Sequence, residues 1–74
     1  MYTFKIQNSK GKITEFNGIN KVVIPELGDD EVITGDAILT YQYPVDSGFY
    51  LYSDKASHTV SSAETNIITV EKEI

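Results

Sequence analysis

Apolar side chains recur at every second position along most of this chain. Over residues 2–7, YTFKIQ, Tyr2, Phe4 and Ile6 fall on one side and Thr3, Lys5 and Gln7 on the other. Over 49–53, Phe49 and Leu51 alternate with Tyr50 and Tyr52, and over 66–72, Ile67 and Thr69 stand opposite Ile68 and Val70. A period of two marks a strand half buried in a sheet, because successive side chains leave opposite faces. The same reading predicts strands over 12–16, 20–25, 31–34, 37–43 and 57–62, which makes eight in all. Nine Ile and six Val supply the β-branched side chains that pack well on a pleated surface, so local propensity agrees with the period.

Turn residues fill the gaps. Residues 8–12, NSKGK, close a hairpin between the first two strands. Asn17-Gly18 reads as a turn pair, since both residues accept positive φ. Pro25 lacks an N–H for a ladder and stops the third strand. Gly35-Asp36 reads as a two-residue hairpin turn joining 31–34 to 37–43. Pro44 and Gly48 bracket another turn, and 54–57, DKAS, make the next. The one helical candidate is a short turn at 61–65, SSAET. Strands at roughly eight- to ten-residue spacing predict an all-β fold: a small antiparallel sandwich or partly open barrel of about seven to eight short strands. Its 74 residues suffice for one such domain, spanning 1–74.

Composition narrows the functions open to such a domain. With no cysteine, disulfides, thiol redox chemistry and thiolate metal sites are excluded. No apolar run approaches the about twenty residues of a membrane span, and no signal-peptide core opens the chain. The expected location is therefore the cytoplasm, away from membranes. All six bases are Lys, and the net charge is −5. Without guanidinium forks, and with a net negative charge, direct nucleic-acid binding is disfavoured. The abundance of Lys, Asn, Ile and Tyr, all encoded by AT-rich codons, fits a low-GC bacterium or its phage.

The charges are unevenly spread. Residues 1–21 carry +3, whereas residues 22–54 carry seven acids and no base. Five of the eleven acids lie in 25–36, PELGDDEVITGD. Glu26, Asp29, Asp30 and Glu31 lack the alternate spacing of a calcium loop, so turn chemistry at a hairpin tip explains them better than a metal site. An acidic segment of this kind keeps a small β protein soluble and can also steer a basic partner.

A second cluster is YQYPVDSGFYLY, with Tyr41, Tyr43, Tyr50 and Tyr52 around a turn. If 37–43 pairs with 49–53, these tyrosines face one another across two strands. If Phe49 and Leu51 are core, Tyr50 and Tyr52 face outward, where tyrosine offers a large rigid contact area with a polar tip. His58, the one histidine, lies in the polar run Ser57-His58-Thr59 and reads as a surface residue. No phosphate loop, HExxH or GxSxG occurs, so no catalytic residue and no cofactor is assigned.

The segment order FKIQNSKGKITEFNG, VVIP and EVITGDAIL resembles the N-terminal β-sandwich of the ATP synthase ε subunit, with Val32, Ile33, Gly35, Ala37 and Leu39 carrying the likeness. Thr34 and Asp36 stand where that family has Pro and His, and no helical hairpin follows. The resemblance implies a sandwich that binds other subunits through its sheet. The residues themselves describe a non-catalytic protein-interaction or accessory module. Its candidate contact residues are Tyr41, Tyr43, Tyr50 and Tyr52 and the acids Glu26, Asp29, Asp30 and Glu31. An ε-like rotor component and an acidic inhibitor that mimics nucleic acid are the alternatives.

Overall fold

The computed structural model describes residues 1–62 and 65–74. The helical turn expected at 61–65 spans 63–64 and so lies outside the described residues. Seven strands form two antiparallel sheets: β1 (Tyr2–Gln7), β2 (Ile13–Ile19), β3 (Lys21–Ile24), β4 (Glu31–Thr34), β5 (Phe49–Tyr52), β6 (Ser57–Val60) and β7 (Ile67–Lys72). The three-stranded sheet has the order β2-β1-β7, and the four-stranded sheet β4-β3-β5-β6. This is the small all-β sandwich that the alternation predicts.

The inner faces meet in one core. Tyr2, Phe4, Ile6 and Ile19 come from the three-stranded sheet, and Val22, Ile24, Ile33, Phe49, Leu51 and Val60 from the other. Phe16, Ile68 and Val70 pack around the edge of this cluster, half buried. No buried side-chain polar atom among the described residues lacks a hydrogen-bond partner. Gly48 fits where no other residue would, because a Cβ there would lie 2.8 Å from the Val60 carbonyl oxygen.

Three local readings are corrected. First, residues 37–43 are not a strand. Ala37–Thr40 form one turn of helix, α1, and the chain then runs irregularly to β5. Ile38 in this turn is fully buried, and α1 packs against β4 and β7. Period two cannot place both Ile38 and Tyr43, five residues apart, in the core, but a helical turn followed by irregular backbone does so. Second, Gly35-Asp36 does not close a hairpin. Gly35 has φ +63°, and its carbonyl accepts the Ile38 N–H at 3.1 Å, so the pair starts α1. Third, Asn17-Gly18 lies inside β2. Register passes from Tyr2↔Ile19 to Phe4↔Phe16, so Thr3 alone faces both residues across a β-bulge, and Gly18 supplies the positive φ of 69°. The break between sheets falls at Asn20, whose N–H donates to the Tyr52 carbonyl at 2.9 Å.

Two carboxylates fasten the strands where this bulge and α1 meet the three-stranded sheet. Glu73 Oε2 accepts the Gly18 N–H at 2.7 Å and lies 3.0 Å from Thr3 Oγ1, tying the end of the chain to the bulge. Asp36 Oδ1 accepts the Tyr2 hydroxyl at 2.6 Å and sits 3.5 Å from Lys72 Nζ, anchoring α1 to β1 and β7. The Gly18 N–H, then the Thr3 hydroxyl, hold the Glu73 carboxyl below its usual range. The Tyr2 hydroxyl, then Lys72, do the same for Asp36. A depressed carboxylate pKa stabilises the fold above the unfolded value, about 4, and that contribution disappears as pH falls through the folded value. Thermal unfolding followed from neutral pH down to about pH 3 should therefore show a falling Tm whose slope flattens in Glu73→Gln. Parallel slopes in the two proteins would show that Glu73 makes no pH-dependent contribution.

Candidate functional site

The outer face of the four-stranded sheet carries the candidate surface. Cross-strand register lines up Val32, Val23, Tyr50 and Thr59 in one row, and Thr34, Lys21, Tyr52 and Ser57 in the next. With neighbouring strands about 4.8 Å apart, the first row runs about 14 Å across the sheet. Alternation makes this the outer face: Phe49 and Leu51 are 1% and 0% exposed, whereas Tyr50 is 38% exposed. Val32 is 58% exposed, and Val23 and Tyr52 are half buried. Lys21 Nζ lies 4.6 Å from the centre of the Tyr52 ring, a cation–π contact that leaves Tyr52 partly covered. The row Val32–Val23–Tyr50 is thus an apolar stripe bordered by Thr34, Ser57 and Thr59.

The acidic segment adjoins this stripe. Val23 pairs with Val32 and Ile24 with Glu31, so residues 25–30 form the tip of the β3–β4 hairpin. Glu26, Asp29, Asp30 and Glu31 are all exposed there. Leu27, between them, is exposed over its whole surface. The tip therefore offers one apolar side chain framed by acids. Among the described residues, no three His, Asp or Glu side chains gather as a metal-binding group.

The four tyrosines do not share one surface. Strand β5 pairs with β3 and β6, not with residues 37–43, so the expected cross-strand tyrosine ladder does not form. Tyr43 turns inward. Its ring packs edge-on against Phe4 at 5.2 Å and beside Phe49 at 5.6 Å, and its hydroxyl donates to the Ile38 carbonyl at 2.7 Å. Burial, foremost, drives the Tyr43 pKa upward, as expected for a phenol that serves the core. Tyr41 bridges the two regions. Its ring packs on Tyr43 at 5.0 Å, and its hydroxyl reaches Glu31 Oε1 at 3.3 Å. Burial, then Glu31 and Glu26, raise its pKa. Tyr41 thus steadies the base of the acidic hairpin, while Tyr50 and Tyr52 remain on the outer sheet face.

Val23, Val32, Lys21 and Leu27 also belong to this surface, although the sequence does not mark them as contact residues. A period-two pattern shows that adjacent valines face apart, but not which one faces solvent. Val22-Val23 and Val32-Ile33 are two such choices, settled only by which sheet covers them.

The outer face of the three-stranded sheet is different in character. There Lys5 and Glu71 form an ion pair at 2.8 Å, and exposed Ile13 and Ile67 are separated by Gln7. His58 is half buried, its ring 4.8 Å from that of Phe16 where β2 approaches β6. No helix among the described residues is long and apolar enough to cross a membrane. A comparison with protein-family models, curated proteins and solved structures returns no match.

Proposed function

We propose that this protein is a non-catalytic interaction module of the cytoplasm that docks a protein partner on the outer face of its four-stranded sheet. The carrying observation is the contiguous apolar row Val32–Val23–Tyr50, running into a hairpin tip that exposes Leu27 among four acids. A sheet needs only one apolar face to fold, and the inner face already supplies the core. An apolar centre with a polar border matches the anatomy of protein interfaces, and tyrosine is prominent among their energetic anchors. Seven acids in residues 22–54, against Lys21 on the same face, favour a partner with basic residues around an apolar hollow.

The stripe is smaller than the about 800 Å² per partner of a standard interface, so it forms the centre of the contact, with the hairpin tip as its flank. Tyr50→Glu or Val32→Asp should lower affinity for the partner recovered by the wild-type protein about thirtyfold. Both residues are exposed, so stability should change by only about 0.5 kcal/mol. Ile67→Asp, on the other sheet, should bind as the wild type does. Equal loss from the Ile67 variant would refute the face assignment. Steep weakening by salt with no effect of Val32→Asp would instead indicate a charge-led, nucleic-acid-mimicking contact. Recovery of rotary ATP synthase subunits would identify an ε-like role.

A further inference from the structure

The other side of the sandwich holds a separate site. Strands β2 and β6 are the edges of different sheets, and they are not hydrogen-bonded to each other. The Phe16 and His58 rings bridge them at 4.8 Å. Beside that contact, toward the tip of the β1–β2 hairpin, a cavity of about 70 Å³ opens. Ile6, Val60 and Phe16 line it on the apolar side, and they belong to the core or pack against it.

The rest of the lining is polar: Asn8, Lys12, Thr14 and, from the edge strand β6, Thr59. The Asn8 side chain is held in place because its Oδ1 accepts the Lys10 N–H at 3.0 Å and the Lys12 N–H at 2.9 Å. That fixes the amide orientation and leaves its NH₂ as a donor with no acceptor among the described residues. Lys12 makes no ion pair with a described residue; the two ion pairs among the described residues belong to Lys5 and Lys72. The Thr14 hydroxyl likewise has no described partner. Three side-chain donors, one of them charged, therefore share this hollow with the apolar side chains of Ile6, Phe16 and Val60, and no acid lines it. In the larger hollow at the opposite end, by contrast, the carboxylates are already engaged: Asp54 accepts from Asn20 and Glu73 from Gly18.

The geometry points to a binding site for a carboxylate carried on a short apolar chain. The ammonium of Lys12 and the Asn8 amide take the carboxylate oxygens, Thr14 donates beside them, and the chain rests on Ile6, Phe16 and Val60. An apolar hollow with a few placed polar groups is the usual design of a small-ligand site. A cavity that admits benzene measures about 150 Å³, so about 70 Å³ takes a carboxylate and a few carbons. A free short-chain acid and the C-terminus of a peptide ending in a small apolar residue both present this group. The site is distinct from the docking face, and either can be disproved alone.

Backbone amide shifts of the isotope-labelled protein test the assignment, with butyrate, butyramide and a short peptide ending in valine, as free acid and as amide. Butyrate should produce saturable shifts confined to Asn8, Lys12, Thr14, Thr59 and their neighbours, and butyramide none. Lys12→Gln should weaken butyrate binding about tenfold, and Lys55→Gln, at the other end, should leave it unchanged. Tighter binding of the peptide acid than of butyrate identifies a chain terminus as the source; equal or weaker binding identifies a free acid. Shifts of the same size with butyramide, an absence of saturable shifts, or an unaltered affinity in Lys12→Gln would overturn the proposal.

Discussion

Phe4→Ala should cost about 3–5 kcal/mol, a large part of the total stability of a chain of this size. Phe4 is fully buried in the middle strand of the three-stranded sheet. It is flanked in register by Phe16 and Val70, and the Tyr43 ring packs edge-on against it at 5.2 Å. Truncation removes apolar area and leaves a hole that a β-sheet backbone cannot close, and the edge-on aromatic contact is lost with it. At about 4–8 °C per kcal/mol for a domain of this length, Tm should fall by about 12–40 °C. Denaturant unfolding with matched slopes would measure the difference directly. A loss below about 1 kcal/mol would mean that Phe4 is not at the centre of the core.

Ile38→Ala should cost about 2–5 kcal/mol, while Leu39→Ala should cost at most about 0.5 kcal/mol. A four-residue helix has no stability of its own, because nucleation is not repaid over one turn. Burial of Ile38, the Tyr2–Asp36 hydrogen bond and the Tyr43 hydroxyl on the Ile38 carbonyl hold α1 in place. Leu39 is 43% exposed. The pair of variants separates the two descriptions of residues 37–43. In an extended strand with Tyr43 facing the core, Leu39 would face inward and Ile38 outward. The order of sensitivities would then reverse, and thermal unfolding of the two variants reads that order.

The alternation was legible wherever a strand had one dry face and one wet face. Tyr2, Phe4 and Ile6 against Thr3, Lys5 and Gln7, and Phe49 and Leu51 against Tyr50 and Tyr52, are sorted as the sequence predicts. Thr3 is buried despite its outward parity, because Asn17 and Glu73 close over its hydroxyl. The pattern failed at 37–43, where Ile38, Thr40 and the two tyrosines have β-forming side chains but the chain must pack against two sheet edges. Asp36 ahead of Ala37 was the available signal for a helical start, being an N-cap residue type. Its side chain makes no capping bond and reaches the Tyr2 hydroxyl instead. Gly18 was read correctly as a positive-φ position but assigned to a turn, since a bulge and a turn ask the same of glycine. Half of the candidate surface was legible. Tyr50, Tyr52 and the acids were visible by type and parity, whereas Val23 and Val32 depended on which sheet face the core would cover. The donor-rimmed hollow between β2 and β6 joins Asn8 and Lys12 to Thr59 and Val60, residues that only the packing of two sheets brings together.

The docking face is tested most directly by site-specific photocrosslinking inside the cells that make the protein. A photoactivatable side chain replaces Val32 in one experiment and Ile67 in another; these residues are 58% and 50% exposed on opposite sheets. The account predicts a discrete protein adduct from position 32, suppressed by excess untagged wild-type protein, and none from position 67. An adduct from position 67 with none from position 32 would contradict it.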